Sequence, residues 1–140
     1  MTTDRVSGAC LCGAVRFELT LPTMFCAHCH CSMCRRAHGA GYVTWVGVLK
    51  DGFRIVAGAD HLVRYRSSDH GTRDFCGTCG SSLFCESTHH PERIDVALAN
   101  VDGDIDRPPQ LHVYYDDRAP WVCIGDDLPR LGGETGLEPL

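Results

Sequence analysis

Short stretches in which hydrophobic and polar residues alternate dominate the chain and predict β-strands. Near the start, Val15, Phe17 and Leu19 recur at every second position, which is the period of a half-buried strand. Apolar and β-branched runs predict further strands at 42–48, 53–58, 61–67, 93–101 and 111–117. The segment 73–85 predicts a strand, a tight turn and a second strand. The pattern therefore favours a mainly β fold.

One short helix is expected among these strands. It covers Ser32 to His38, with a possible N-terminal cap at Ser32 and with Gly39 and Gly41 to end it. The tail after Trp121 is rich in turn-forming residues and predicts a loop that frays at its end. No repeat or linker interrupts the chain, so we expect a single domain over residues 1–140.

Charge and the N-terminal sequence limit the classes of partner. The net charge is −5, which disfavours nucleic acids and anionic membranes as partners of the whole protein. No apolar run approaches the ~18 residues of a membrane helix. The opening MTTDRVSGAC lacks the features of a signal peptide, so we expect a cytoplasmic, reducing location. In that location, the ten cysteines are expected to be metal ligands or reactive thiols.

Four of the cysteines have the spacing of a structural zinc site. Cys10 and Cys12 lie two residues apart, so in an extended strand both sulfurs would point to one face. Cys76 and Cys79 form a C-x-x-C-G turn, in which Gly80 permits the tight bend of a zinc knuckle. Four thiolates complete the tetrahedral shell of a structural zinc ion. The alternative is two unrelated pairs of buried or redox thiols, or two disulfides.

The stretch CAHCHCSMCRR, residues 26–36, predicts a second and different metal site. Cys29 and Cys31 share a face if the segment is extended, and a helical turn brings Cys34 beside them. Three protein ligands with one open position are typical of a catalytic zinc. The same geometry turns His28 and His30 to the opposite face. A histidine as a ligand, or Cys26 as a fourth ligand that closes the site, remain alternatives; Cys85 and Cys123 fall outside ligand spacing.

These cysteine groups, in this order, resemble the glutathione-dependent formaldehyde-activating enzyme family. The segments that carry the resemblance are GACLCGAVRF (8–17), CHCSMCRRAHG (29–39), RDFCGTCGSSLF (73–84), HVYYDDRAPW (112–121) and DLPRL (127–131). The match runs from about residue 6 to residue 131, although Cys26 is an extra thiol and Cys85 stands where many relatives carry an aromatic residue. The resemblance implies an antiparallel, β-tent-like zinc fold. It also implies two zinc ions per chain, a structural one on Cys10, Cys12, Cys76 and Cys79 and a catalytic one on Cys29, Cys31 and Cys34.

The implied activity is that of a carbon–sulfur lyase that interconverts glutathione plus formaldehyde and S-hydroxymethylglutathione. A zinc ion with three thiolates is a weak Lewis acid, better able to hold a substrate thiol as a thiolate than to activate water. The resulting negative charge needs basic neighbours, for which the candidates are Arg35 and Arg36, then Arg73 and Arg118. His38 is a candidate proton shuttle, with His30 as its rival.

Two other functions compete with the lyase. The first is a metal-binding module without catalysis, which uses both zinc sites for stability and its surface for a partner. The second is a thiol redox enzyme on the same scaffold, which is disfavoured because Cys123 lies between apolar residues in WVCIG. The fourth coordination position of the second metal distinguishes the lyase from the metal-binding module. An open position favours the enzyme, and Cys26 or a histidine as the fourth ligand favours the module.

Overall fold

The computed structural model describes residues 4–140, and strands are their main regular element. The strands are β1 (Arg5–Ala9), β2 (Arg16–Thr20), β3 (Phe25–Cys29), β4 (Val43–Leu49), β5 (Phe53–Ala57), β6 (Leu62–Arg66), β7 (Gly71–Cys76), β8 (Ser82–Ser87), β9 (Arg93–Ala97), β10 (Leu111–Val113), β11 (Leu131–Gly132) and β12 (Glu138–Pro139). The α-helix α1 spans Ser32–His38. Short 3₁₀ turns cover Lys50–Gly52, Ala59–His61, Leu98–Asn100 and Tyr115–Asp117. The prediction of a mainly β fold with one short helix is confirmed.

Residues 4–24 and 46–106 form the first of two compact units. Its antiparallel sheet has the order β1-β2-β5. A second run of strands has the order β4-β9-β8-β7-β6, to which β4 contributes residues 46–49. The alternation predicted in β2 is confirmed, since Phe17 and Leu19 are fully buried. The ring of Phe84 packs on this face, with its centroid 5.0 Å from that of Phe17 and 4.9 Å from that of Phe53.

Residues 25–45 and 107–140 form the second unit, with the strand order β10-β3-β4. Strand β10 pairs with β3 in parallel, which places His112 beside His28 and Val113 beside Cys29. This pair departs from the expected antiparallel arrangement. A parallel pair needs a long connection, and about eighty residues separate β3 from β10. The expectation of one domain over 1–140 stays a prediction.

Several predicted element ends differ from the structure. The strand predicted over 93–101 ends at Ala97, and the one over 111–117 ends at Val113. Tyr114 explains the second ending, because its φ of 52° lies in the left-handed region and breaks the strand. The tail contains a short antiparallel pair, β11 with β12, where a loop was expected. No helix among residues 4–140 has the length and apolar character needed to cross a membrane.

The helix begins differently from the prediction, although its bounds agree. Its N-cap is Cys31, not Ser32: the Cys31 Sγ accepts the backbone N–H of Cys34 at 3.3 Å. Gly39 ends the helix in the left-handed region, as predicted, and its N–H donates to the Arg35 carbonyl. This capping hydrogen bond therefore holds the Cys31 Sγ close to Cys34, the next member of the predicted metal site.

Candidate metal centres and functional site

Four thiols of the first unit lie together. One ligand atom from each of Cys10, Cys12, Cys76 and Cys79 lies within 4.8 Å of the others. The Cys12 Sγ is 3.6 Å from the Cys10 Sγ and 3.8 Å from the Cys76 Sγ. A tetrahedral zinc ion with Zn–S bonds of about 2.3 Å sets its sulfurs ~3.8 Å apart, so the spacing fits such an ion. A disulfide needs about 2.0 Å, and all ten cysteines are thiols in this structure.

Two turns present these thiols. Cys10 and Cys12 do not lie in an extended strand as expected, but in a turn after β1 that closes when the Gly13 N–H donates to the Cys10 carbonyl at 3.1 Å. In the second turn, the Gly80 N–H donates to the Cys76 carbonyl at 2.8 Å. Gly80 has a φ of 82°, which glycine adopts without strain. This bend is the one predicted from the C-x-x-C-G spacing.

The electrostatics of this four-thiol group favour a bound cation. A hydrogen bond with the Ser81 hydroxyl, at 3.2 Å, lowers the pKa of Cys79 to about 5. A backbone hydrogen bond from Ala14 also favours the Cys12 thiolate, but desolvation and the neighbouring thiols together raise the pKa of Cys12 to about 11. The thiols therefore cannot all ionise beside one another without a positive charge between them, which a metal ion supplies.

Three thiols of the second unit form a second group. Ligand atoms of Cys29, Cys31 and Cys34 lie within 4.8 Å of one another. Cys29 ends β3, Cys31 caps α1, and Cys34 lies in the first turn of the helix. The indole N–H of Trp45 donates to the Cys34 Sγ at 3.4 Å. Cys26 is fully buried on β3 and is not part of this group.

The three-thiol group also fits a cation. Hydrogen bonding with Cys31 and then with Cys34 raises the pKa of Cys29 well above its ordinary value, as does burial. Sequence reasoning missed Tyr114, whose phenol interacts electrostatically with these thiols. Burial, and then the negative charges of the three cysteines, raise the pKa of the phenol. Its left-handed φ could not be predicted from a β-like run of residues. The phenol therefore stays protonated, as a hydrogen-bond donor, at neutral pH.

The predicted basic residues take different positions. Arg35 uses its guanidinium to fix the backbone, donating from Nε to the His30 carbonyl at 3.2 Å and from Nη2 to the Asp117 carbonyl at 3.0 Å. Arg36 is exposed on α1. The Arg118 guanidinium lies 4.3 Å from the centre of the Tyr115 ring.

The two remaining predicted residues lie in different units. His38 ends α1 in the second unit, with its ring edge-on to Trp45 at 5.2 Å. Arg73 belongs to β7 of the first unit, opposite Cys85. The substrate-binding and proton-transfer roles of these residues stay predictions.

The histidines of CAHCHCSMCRR, His28 and His30, belong to a histidine cluster that also contains His112 and Asp126. Sequence reasoning missed these last two residues. The His30 Nε2 and the His112 Nδ1 are 2.8 Å apart, and the His112 Nε2 lies 3.0 Å from the nearer carboxylate oxygen of Asp126. Burial, and then the charge of His112, lowers the pKa of His30 to about 4, so its ring is neutral at pH 7. Sequence reasoning missed the contact between His30 and His112 because about eighty residues separate the two histidines. The signal that could have pointed to it is that His112 begins the segment HVYYDDRAPW, which carries part of the family resemblance.

The fold and these sites define a class: a mainly β protein with a four-cysteine and a three-cysteine group, each able to hold a metal ion. The family model of the glutathione-dependent formaldehyde-activating enzyme matches residues 5–117, and the chain belongs to this family.

Two relatives support the assignment. A Halomonas elongata protein described as a glutathione-dependent formaldehyde-activating enzyme is 33% identical over 127 residues, which are 85% of this chain and 80% of that protein. The crystal structure of a Rhodobacter sphaeroides protein has 31% sequence identity and a TM-score of 0.61, and the match covers 71% of this chain and 91% of that one.

Proposed function

We propose that this protein is a zinc-dependent carbon–sulfur lyase that acts on the adduct of glutathione and formaldehyde. The observation that carries the proposal is the three-thiol group of Cys29, Cys31 and Cys34, to which the described residues add no fourth cysteine, histidine or carboxylate. Three protein ligands leave one coordination position for a substrate. The four-thiol group of the first unit, with a complete shell, is the structural counterpart.

The overall reaction balances without an oxidant or reductant. The glutathione sulfur forms a bond to the formaldehyde carbon, the C=O π pair moves to oxygen, and that oxygen takes the proton which the thiol lost. Zinc bound to the three cysteines would hold the glutathione sulfur as a thiolate. The lyase direction is the reverse, in which the carbon–sulfur bond of S-hydroxymethylglutathione breaks.

Tyr114 is the candidate hydrogen-bond donor to the formaldehyde oxygen in this reaction. Its phenol stays protonated beside the three thiols, so it can donate a hydrogen bond where negative charge develops on oxygen. Gly136 contacts Tyr114 twice: its carbonyl accepts the Tyr114 backbone N–H at 3.2 Å, and its Cα packs directly against the ring. A fixed donor costs little reorganisation when the charge appears.

The arginines divide into a positioning and a binding role. Arg35 joins the His30 and Asp117 carbonyls and so fixes the segment that carries Cys31. Arg36 follows on the exposed surface of α1 and is the candidate for a glutathione carboxylate, since a guanidinium binds carboxylates with two parallel hydrogen bonds. This assignment gives the two arginines of CAHCHCSMCRR different tasks.

A pair of cysteine variants tests the proposal. In Cys34→Ser, we expect the loss of one zinc per chain and of formaldehyde release from S-hydroxymethylglutathione, with the far-ultraviolet circular dichroism unchanged. The matched control is Cys123→Ser, which changes an exposed cysteine outside both groups and should retain metal and activity. Full activity in Cys34→Ser, or equal losses in both variants, would contradict the assignment.

A further inference from the structure

The second unit contains a group of nitrogen and oxygen ligands that the proposed lyase does not use. We propose that His28, His112 and Asp126 form a third metal site, which takes a divalent transition-metal ion such as zinc or cobalt. One ligand atom from each of the three residues lies within 4.8 Å of the others. Two imidazoles and one carboxylate are a recurrent protein ligand set for zinc and for non-haem iron.

The parallel pairing of β3 and β10 builds the site. His28 and His112 lie in register on the two neighbouring strands, so their side chains leave the sheet side by side, with ring centroids 4.9 Å apart. The carboxylate of Asp126 then approaches the His112 Nε2, with its two oxygens at 3.0 and 3.1 Å. Three ligand atoms therefore converge from three separate segments of the unit.

Each histidine is oriented through its other ring nitrogen. The His28 Nδ1 lies 2.8 Å from the Thr44 Oγ1, and the His112 Nδ1 lies 2.8 Å from the His30 Nε2. These contacts use Nδ1 of both rings, so Nε2 of each ring is the nitrogen left for a metal ion. A partner that accepts the second ring N–H is the usual outer support of a metal-binding histidine, because it fixes the tautomer and the ring orientation.

The site has an entrance and is separate from the three-thiol group. The Asp126 side chain is 41% exposed, whereas the His112 side chain is fully buried, so an ion would enter past the carboxylate. Successive residues of a strand point to opposite faces, and Cys29 follows His28 directly on β3. The nitrogen–oxygen ligands therefore lie on one face of the strand and the thiol on the other.

The test is a titration with cobalt(II) of the full chain loaded with only two zinc ions per chain, one for each thiol group, followed by absorption and metal analysis. We expect one further equivalent per chain, with ligand-field bands and no added thiolate-to-cobalt charge-transfer absorption. Asp126→Ala, which changes an exposed side chain, should abolish this uptake, and the neighbouring Asp127→Ala should keep it. Thr44→Val should weaken cobalt binding by about 10–100-fold, the usual effect of removing such a support.

Three results would overturn the proposal. The first is no uptake beyond the thiolate-bound metal, which would leave His112 and Asp126 as a hydrogen-bonded pair only. The second is uptake that persists in Asp126→Ala. The third is uptake accompanied by thiolate charge-transfer absorption, which would assign the ion to cysteines. None of these results depends on lyase activity, so the proposed function and the third site are tested separately.

Discussion

Asp74, on strand β7, is a buried carboxyl group whose ionisation opposes folding. It is 1% exposed, and the Arg64 Nε lies 3.9 Å from its Oδ1. Burial, and then the neighbouring Glu86, raises the pKa of Asp74 from 3.8 to about 7. Because the folded pKa is raised, the folded state keeps a proton that the unfolded state releases, so this group lowers stability as pH rises from about 4 to about 7.

We therefore expect Asp74→Asn to remove that part of the pH dependence. The free energy of unfolding of the variant, measured relative to the unmodified protein by urea denaturation, should increase between pH 4 and pH 7. Asp69→Asn, which changes an exposed carboxylate, is the control and should give parallel curves. Parallel curves for Asp74→Asn would show that this carboxyl does not carry the proton.

Tyr114 provides a second test at the level of one residue. If its phenol donates to the developing oxyanion, Tyr114→Phe should lower kcat of the lyase reaction by about 10²-fold or more, because one preorganised donor is lost. Zinc content should not change, since the hydroxyl is not a ligand. Tyr65→Phe, at an exposed tyrosine of the first unit, is the matched control. An unchanged kcat in Tyr114→Phe would remove this residue from the mechanism.

At the level of elements, the turn from Cys76 to Cys79 could be predicted because its geometry is local, whereas Cys10 and Cys12 were expected in an extended strand and lie in a turn. The spacing Cys76-x-x-Cys79-Gly80 indicates two candidate ligands and the bend between them, and the helix from Ser32 to His38 ends at Gly39 as predicted. The parallel pair of β3 and β10 could not be predicted, because its partners are about eighty residues apart and the five residues of β3, FCAHC, show no alternation of apolar and polar positions. The cluster around His112 depends on that pair and was missed with it.

A substitution at Gly80 tests how much the backbone of the Cys76–Cys79 turn contributes to stability. Its φ of 82° costs a residue with a Cβ roughly 1–2 kcal/mol, although no atom lies within 4 Å of the added carbon. Gly80→Ala should lower the free energy of unfolding of the zinc-loaded chain by about that amount. Gly125→Ala also meets no atom within 4 Å and has an ordinary φ, so it should be close to neutral. Equal effects of the two substitutions would contradict the backbone argument.

For the whole molecule, the two thiol groups divide between the two compact units. The four-thiol group belongs to the unit that contains the phenylalanine core, and the three-thiol group belongs to the unit that contains α1 and the histidine cluster. The ligand counts, four and three, match the division between a closed structural site and an open catalytic one. Membership of the formaldehyde-activating family is shown by the match over residues 5–117, whereas the reaction is proposed from the three-thiol group.

The most direct test of that reaction is NMR exchange spectroscopy on an equilibrium mixture of formaldehyde, glutathione and S-hydroxymethylglutathione. The zinc-loaded protein should increase the rate at which the hydroxymethyl signal exchanges with formaldehyde, in proportion to protein concentration and above the spontaneous rate. An exchange rate equal to the spontaneous one, measured on protein that carries two zinc ions per chain, would contradict the lyase and favour a metal-binding module without catalysis.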